Sequence, residues 1–539
     1  MSYGELSNTQ ETMVLPLLQM KNIRGKPYIT VSAKGMINGL SNIPNDGADF
    51  GPDTTLNATA PGQYGSPYTE TSGILEALEY NGNIKILQGT YQLSVYAYGS
   101  NYAAIYLNKN NISIEFEANV IINCSVPSGI TVADIFYLAG TGTSPQNISI
   151  TGNNCIIQGN WTKTAAFTLN AIHSQNTDNI NLTQIEVEGV TIGILLQSCN
   201  NGSIQFINSY TGSTSTNCSI NGLIFVETCS NMAIKNCYSL NSGDDTIFVG
   251  EGSSVINVSE NIVIKNSLYG SIVTGRCINI YSDTADSTTS NISVHANYCV
   301  PSPVTSVEGI TVFASSNTTI RDVIITDNII DGMSLTPSGS SSYSCGIGVL
   351  SDLASGTVGS GNASVYRITI TNNIVKNTGG PSIHFILNIP SSDSNDTFIE
   401  YIKICDNVFE NPDVSNSSNN GFLWVQNDVS GTGQSTFAYI SVYGNSFNQG
   451  AVSVYAYYVS SNPNNITGIL FKFNEFINLT AFFTTTEGVE LFSNMGYIAS
   501  PTISANPPVT ATVYQNTNPY DIRLKIPVTY SPTSFHVIL

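Results

Sequence analysis

The stretch NISVHANYC (291–299) alternates apolar and polar residues with period two and is punctuated by asparagine at its start and near its end. In an extended chain Ile292 and Val294 share one face and Ser293 and His295 the other, the pattern of a strand with one buried side. The pattern recurs as NISIEFEANVII at 111, NISITGNNCIIQGN at 147, NINLTQIEVEGV at 179, NGSIQFINS at 201, NMAIKNCYS at 231 and NIVIKNSLY at 261. It continues as NTTIRDVIITDNII at 317, YRITITNNIVKN at 366, YIKICDNVFEN at 401, YISVYGNSFNQG at 439 and ITGILFKFNEFINL at 466. The copies lie roughly 20 to 40 residues apart, and Ser/Gly-rich inserts such as 336–344 carry the variation. A unit this short cannot bury its apolar face alone, whereas stacking successive units turns Ile and Val into ladders inside a continuous core. The sequence therefore predicts an all-β fold, a right-handed single-stranded parallel β-helix of about twelve coils. The repeated Asn fits a sharp left-handed turn between strands, with side-chain amides stacked from coil to coil. A β-sandwich would join its strands by Asn-Gly or Asp-Gly hairpins, which are scarce.

Composition narrows the function. Only 10% of the 539 residues are charged, and 17 Lys and Arg against 37 Asp and Glu give a net charge of −20. That balance argues against a nucleic-acid surface. With 41% hydrophobic residues, 28 Tyr and 21 Phe, the chain is a folding one. Sixteen N-x-S/T sequons lie at Asn57, Asn111, Asn123, Asn147, Asn160, Asn181, Asn201, Asn217, Asn257, Asn291, Asn317, Asn362, Asn395, Asn416, Asn465 and Asn478. Their spread favours an exposed glycoprotein at a virion surface or outside the cell. The first residues form no conventional export signal, since the apolar run Met13–Leu18 is too short, and no stretch is long enough to span a membrane. None of the ten cysteines forms a CxxC pair, so spacing gives no zinc motif, and the cysteines read as small core residues.

The opening NDGADFGPDT (45–54) and TSGILEALEYNGNIKILQGTYQLS (71–94) resembles the entry of pectate-lyase-like (pectin-lyase-like) β-helix proteins. The resemblance implies a short N-terminal helix, with Ile74, Leu75 and Leu78 as its apolar stripe, capping the open end of the solenoid. Residues 1–44 do not join the repeat and read as a mounting segment, and 45–494 as the β-helix. Residues 495–539 read as a small C-terminal β element whose apolar SFHVIL ending calls for a partner subunit or for sequence beyond Leu539. Two similar frames then compete for NSGDDTIFVG (241–250). Polygalacturonases carry a Gly-Asp-Asp on a comparable coil, with further Asp, His and Arg-Lys elements nearby, and inverting hydrolysis needs two carboxyls placed around a water. Here Asp244 and Asp245 match, but Asn221 stands in place of the Asp, Arg276 in place of the His, and EGITVFAS (308–315) lacks the Arg and Lys. Pectate-type lyases use an Arg as base beside acidic calcium ligands. The 30-residue offset between the copies at 231 and 261 puts Arg276 one rung above Asp245 or Thr246, so Asp244 and Asp245 offer Ca²⁺ ligation with Arg276 as base. Against both stands an inter-coil salt bridge balancing two adjacent acids. No other cofactor is expected.

The histidines His173, His295, His384 and His536 fall in separate coils or segments without metal or triad spacing. Phe422, Trp424, Tyr455, Tyr457 and Tyr458 make the last coils aromatic, suited to sugar stacking or, more commonly, to core. The opening, the sequon-dense Ile/Asn coils and the closing VYQNTNPYDIRLKIPV resemble tail-fibre and host-attachment proteins of spindle-shaped archaeal viruses. That resemblance implies a tail fibre that attaches the virion to host surface glycans, contacts other tail proteins through its N-terminal segment or C-terminal element, and assembles as a homo-oligomer. A polysaccharide hydrolase or lyase on the same scaffold is the alternative, and a cellular surface adhesin the second.

Overall fold

The computed structural model describes residues 28–33, 48, 50–51, 71–98, 101–139, 146–162, 164–210, 220–265, 275–301, 308–332, 345–353, 361–412, 421–450, 454–460, 465–479, 482–484 and 489–494, with three short strands at Thr512–Gln515, Ile522–Lys525 and His536–Ile538. Asn57, Asn217, Asn416, most of the 45–54 opening, the insert 336–344 and nearly all of 1–44 lie outside them. The chain divides into two compact units, Met1–Ser209 and Tyr210–Leu539.

In the second unit each coil repeats three strands. The coil Ile278–Ser282, Thr288–His295, Tyr298–Val300 is followed by Ile310–Ala314, Thr318–Thr326, Ile329–Asp331, and each strand pairs in parallel with its counterpart. The alternation read from the sequence sets the register. Ile224, Ile247, Ile278, Ile310, Ile347 and Ile383 stand opposite one another in turn. All six are fully buried. Such a column fixes the register because a one-residue slip would turn every Ile to solvent.

The asparagines serve two adjacent positions rather than one. Asn261, Asn297, Asn328, Asn373, Asn407, Asn445, Asn474 and Asn494 form a side-chain ladder in which each Nδ2 donates to the Oδ1 of the next, at 2.9–3.0 Å. The first seven are at most 1% exposed. The left-handed residue is the one before: Glu260, Ala296, Asp327, Asn372, Asp406, Gly444, Phe473 and Ser493 all have φ between 43° and 67°. A bend of this kind leaves backbone groups that no strand can satisfy, and the Asn amide, with a donor and an acceptor, closes the account inside the core. The Asn that opens the copies at 111, 147, 179, 201, 231, 291 and 317 marks another left-handed position, as at Asn231 and Asn291, where exposed side chains precede Met232 and Ile292.

In the first unit the strands Asn101–Leu107, Val132–Ala139, Thr168–Gln175 and Val190–Gln197 stack in parallel. A helix, Ile74–Tyr80, buries Ile74, Leu75, Ala77 and Leu78 against the neighbouring strands. The strand Ile29–Val31, expected to stand outside the repeat, instead adds to it in parallel with Asn83–Ile86. Its Ile-Thr-Val alternation, too short to register as a repeat copy, buries Ile29 and Val31. Near the end, Thr512–Gln515 and Ile522–Lys525 pair antiparallel. Among the described residues no helix is long and apolar enough to cross a membrane.

Candidate functional site

Asp244 and Asp245 sit just ahead of the strand Ile247–Gly250, in the second unit, and they part ways. Asp244 is exposed and Asp245 buried. One coil on, Arg276 lies in the rung above Asp245, since Ile247 pairs with Ile278 at an offset of 31 rather than the 30 read from the copies at 231 and 261. Thr246 N–H donates to the Arg276 carbonyl at 2.9 Å, and Arg276 N–H donates to Asp245 Oδ1 at 2.6 Å. Asp245 Oδ2 accepts from Asn279 Nδ2 at 2.6 Å, and the Arg276 guanidinium stands 3.9 Å from Oδ1. Gly275, at φ 70°, makes the close approach possible, because a Cβ there would come within 2.3 Å of the Asp245 nitrogen. The buried Lys265 ammonium donates to the carbonyls of Ser242 and Asp244. Both Asp245 oxygens thus accept from protein donors, which ties its loop to the next coil.

The Arg276 side chain continues the column to a third coil. Its Nε donates to Glu308 Oε2 at 3.1 Å, and its guanidinium lies 5.6 Å from the centre of the Phe313 ring. Burial would lower the Arg276 pKa, but the charges of Glu308 and Asp245 hold it above its ordinary value. Sequence reasoning missed Glu308 and Asn279, for which the only signal was one coil of register.

Beside this column, Phe225 and Phe248 stack at 5.1 Å, Phe248 meets Tyr281 at 5.9 Å, and Tyr281 meets Phe313 edge-on at 4.9 Å. Phe225, Phe248 and Tyr281 are half-buried and alternate with core residues, so this ridge of rings faces outward. At its edge Tyr281 Oη donates to Asp283 Oδ2 at 3.1 Å, and Thr284 N–H to Glu251 Oε2 at 2.9 Å. Burial first, and then the hydrogen bond with Asp283, push the Glu251 carboxyl up to about 7. The aromatics singled out in the sequence behave differently. Phe422, Trp424 and Tyr457 are buried, and only Tyr455 and Tyr458 reach the surface in part.

Of the histidines, His173 belongs to a separate cluster in the first unit. Its Nδ1 meets Asp134 Oδ2 at 3.1 Å and its Nε2 meets Gln197 Oε1 at 3.0 Å. Burial opposes its charge, but the hydrogen bond and charge of Asp134 win and raise its pKa. His384 is fully buried in the second unit and stacked on Trp424 at 4.1 Å, and burial drives it down to about 3. His295 is half-buried, and of His536 only the backbone is described. Among the described sequons, Asn111, Asn147, Asn160, Asn181, Asn201, Asn257, Asn291, Asn362, Asn465 and Asn478 are exposed, and Asn123, Asn317 and Asn395 half-buried. The nine described cysteines are all buried and none forms a disulfide.

No family model matches the chain, and no curated protein matches it. Solved structures do. A tailspike mutant of E. coli bacteriophage HK620, in complex with pentasaccharide, is 14% identical with a TM-score of 0.52, covering 92% of this chain and 84% of its own. The A-module of an Azotobacter vinelandii mannuronan C-5 epimerase is 11% identical with a TM-score of 0.49, covering 74% of this chain and 94% of its own. An exopolygalacturonase from Thermotoga maritima is 12% identical with a TM-score of 0.46, covering 70% and 86%. At these identities the likeness is one of fold, and the fold is the right-handed parallel β-helix of pectate-lyase-like proteins.

Proposed function

We propose that this chain is a virion attachment fibre that holds a host surface glycan on the ridge Phe225–Phe248–Tyr281 and does not cut it, of the kind its sequence resembles in spindle-shaped archaeal viruses. The observation that carries the reading is the contrast on one surface. Outward rings offer flat apolar area for sugar faces, with Glu251 and Asp283 at hand for hydroxyls. The carboxylate best placed by motif, Asp245, is meanwhile held by Arg276 and Asn279. The tailspike of the same fold, solved in complex with pentasaccharide, supports a glycan as the ligand class. Exposed sequons suit a glycoprotein at a virion surface or outside the cell, and contacts with other tail proteins and with further copies of the chain belong to the same reading. The test is equilibrium binding of purified protein to oligosaccharides released from host surface polysaccharide. Tyr281→Ala and Phe248→Ala are expected to weaken binding about tenfold each, and Asp244→Asn to leave it unchanged. Full affinity in both aromatic variants would move the glycan off this ridge.

A further inference from the structure

We propose that Glu308, Cys345 and His384 form a binding site for a borderline-soft divalent transition ion, of which Zn²⁺ is the representative. The three ligands come from three successive coils. Ile310, Ile347 and Ile383 stand opposite one another, so Glu308 and Cys345 occupy equivalent places two residues ahead of that column, and His384 lies one residue after it. One ligand atom from each lies within 4.8 Å of the other two, and the residues are 5%, 0% and 0% exposed. A tetrahedral ion with bonds of about 2.0–2.3 Å holds its ligand atoms roughly 3.3–3.8 Å apart, so closing the site needs movements of about 1 Å. A sulfur, an imidazole nitrogen and one carboxylate select zinc or cobalt over calcium or magnesium.

The surroundings prepare the histidine. Gln426 Nε2 donates to Asp428 Oδ2 at 2.5 Å, which turns Gln426 Oε1 toward His384 Nε2 at 3.0 Å. An acceptor at Nε2 places the imidazole proton there and makes Nδ1 the lone-pair nitrogen, the tautomer control common behind metal-bound histidines. Stacking on Trp424, with ring planes 6° apart, holds the ring. The His384 backbone N–H is hydrogen-bonded to Cys345, which ties the two ligand residues together. Gly348 leaves the space that Glu308 crosses, since a Cβ there would meet Glu308 Cγ at 2.6 Å. On binding, the Cys345 S–H bond breaks, the sulfur–metal bond forms and the proton leaves to solvent, with no change of oxidation state.

The test titrates Co²⁺ into chelator-treated full-length protein and follows the thiolate-to-cobalt charge-transfer band in the near ultraviolet. One equivalent per chain is expected, with the band reversed by added Zn²⁺. Cys345→Ser is expected to abolish the band, and His384→Gln to weaken Co²⁺ binding by at least about tenfold. Glu308→Gln, isosteric with the native side chain, serves should either of these lose native circular dichroism, and it is likewise expected to weaken binding at least about tenfold. Cys299→Ser controls for thiols outside the cluster. No band at one equivalent, an unchanged affinity in Glu308→Gln, or a band that survives Cys345→Ser and disappears in Cys299→Ser would overturn the assignment.

Discussion

Replacing Asn373 by Ala removes one rung from the middle of the buried ladder. Asn373 is fully buried, and its Nδ2 donates to the carbonyls of Ile325 at 2.9 Å and Thr371 at 3.0 Å and to Asn407 Oδ1 at 3.0 Å. Its Oδ1 accepts from Asn328 N–H at 3.0 Å and Asn328 Nδ2 at 2.9 Å. An alanine leaves the Asn328 donors and two carbonyls to face a void too small and apolar to hydrate well. A net contribution of about 1 kcal/mol for each of the two amide N–H groups, plus about 1–3 kcal/mol for a buried group left unsatisfied, gives an expected loss of roughly 3–5 kcal/mol. Urea unfolding at equilibrium, followed by circular dichroism, measures it. The comparison is Asn123→Ala in the first unit, where Asn123 Nδ2 donates to Gln92 Oε1 at 2.9 Å in an exposed bond. Water replaces that partner, so the expected loss is within about 0.5 kcal/mol. A cost below about 1 kcal/mol at Asn373, or equal costs at both positions, would refute the argument that burial makes the inner ladder structural.

Four further outcomes follow from the same geometry. Arg276→Ala strands the buried Glu308 carboxylate and is expected to cost about 3–5 kcal/mol in denaturant unfolding, against under about 0.5 kcal/mol for the exposed Asp244→Asn. The raised Glu251 carboxyl keeps its proton in the folded state where the unfolded chain has lost it, so its contribution is full below the ordinary value of 4.5 and is lost as pH rises through about 7. Glu251→Gln is expected to remove about 1–2 kcal/mol of that pH dependence, a figure reduced for partial exposure, and melting temperatures of both proteins across pH 4–8 check it. His173, raised by Asp134 against its burial, contributes with the same sign, present below about 6.5 and lost at higher pH, and His173→Gln is expected to flatten the stability profile of the first unit between pH 6 and 8. Expressed in a glycosylating host, Asn160, Asn181, Asn257 and Asn362 are expected to carry glycans, while Asn147, Asn317 and Asn395, whose Nδ2 donates to Asn111, Asp286 and Asp393, stay largely bare by glycopeptide mass spectrometry.

The coil was legible because its signal is local. Ile292 and Val294 point inward by alternation alone, and repetition of that alternation forces stacking. The ladder was half legible. In HANY and TDNI the sequence shows an Asn near a turn, but only coordinates separate Ala296 and Asp327, which take the left-handed turn, from Asn297 and Asn328, which carry the stack. The rung of Arg276 is inferred from an offset of 30 between the copies at 231 and 261, but those copies are out of register: Met232 pairs with Ile256 and Tyr238 with Ile262, 24 residues on, while Ile247 pairs with Ile278, 31 residues on. Arg276, Asn279 and Glu308 all lie past segments of unequal length, such as 266–274 and 302–307, whose sequence says nothing of register. The ridge Phe248–Tyr281 has no sign of its own in the sequence, whereas Trp424 and Tyr457 are buried, in keeping with the more common role of period-two aromatics as core. The cluster of Glu308, Cys345 and His384 had no motif, its members being 37 and 39 residues apart in sequence.

Binding without cleavage is the central claim, and one incubation tests it. Purified protein is mixed with host surface polysaccharide, with and without Ca²⁺. Bound protein is measured by co-sedimentation, and products by reducing ends and by the absorbance of unsaturated sugars. The account predicts that the protein sediments with the glycan, that Tyr281→Ala does not, and that no product accumulates in any sample. Product release by the wild type that disappears in Asp244→Asn/Asp245→Asn would contradict it and make the chain a depolymerase.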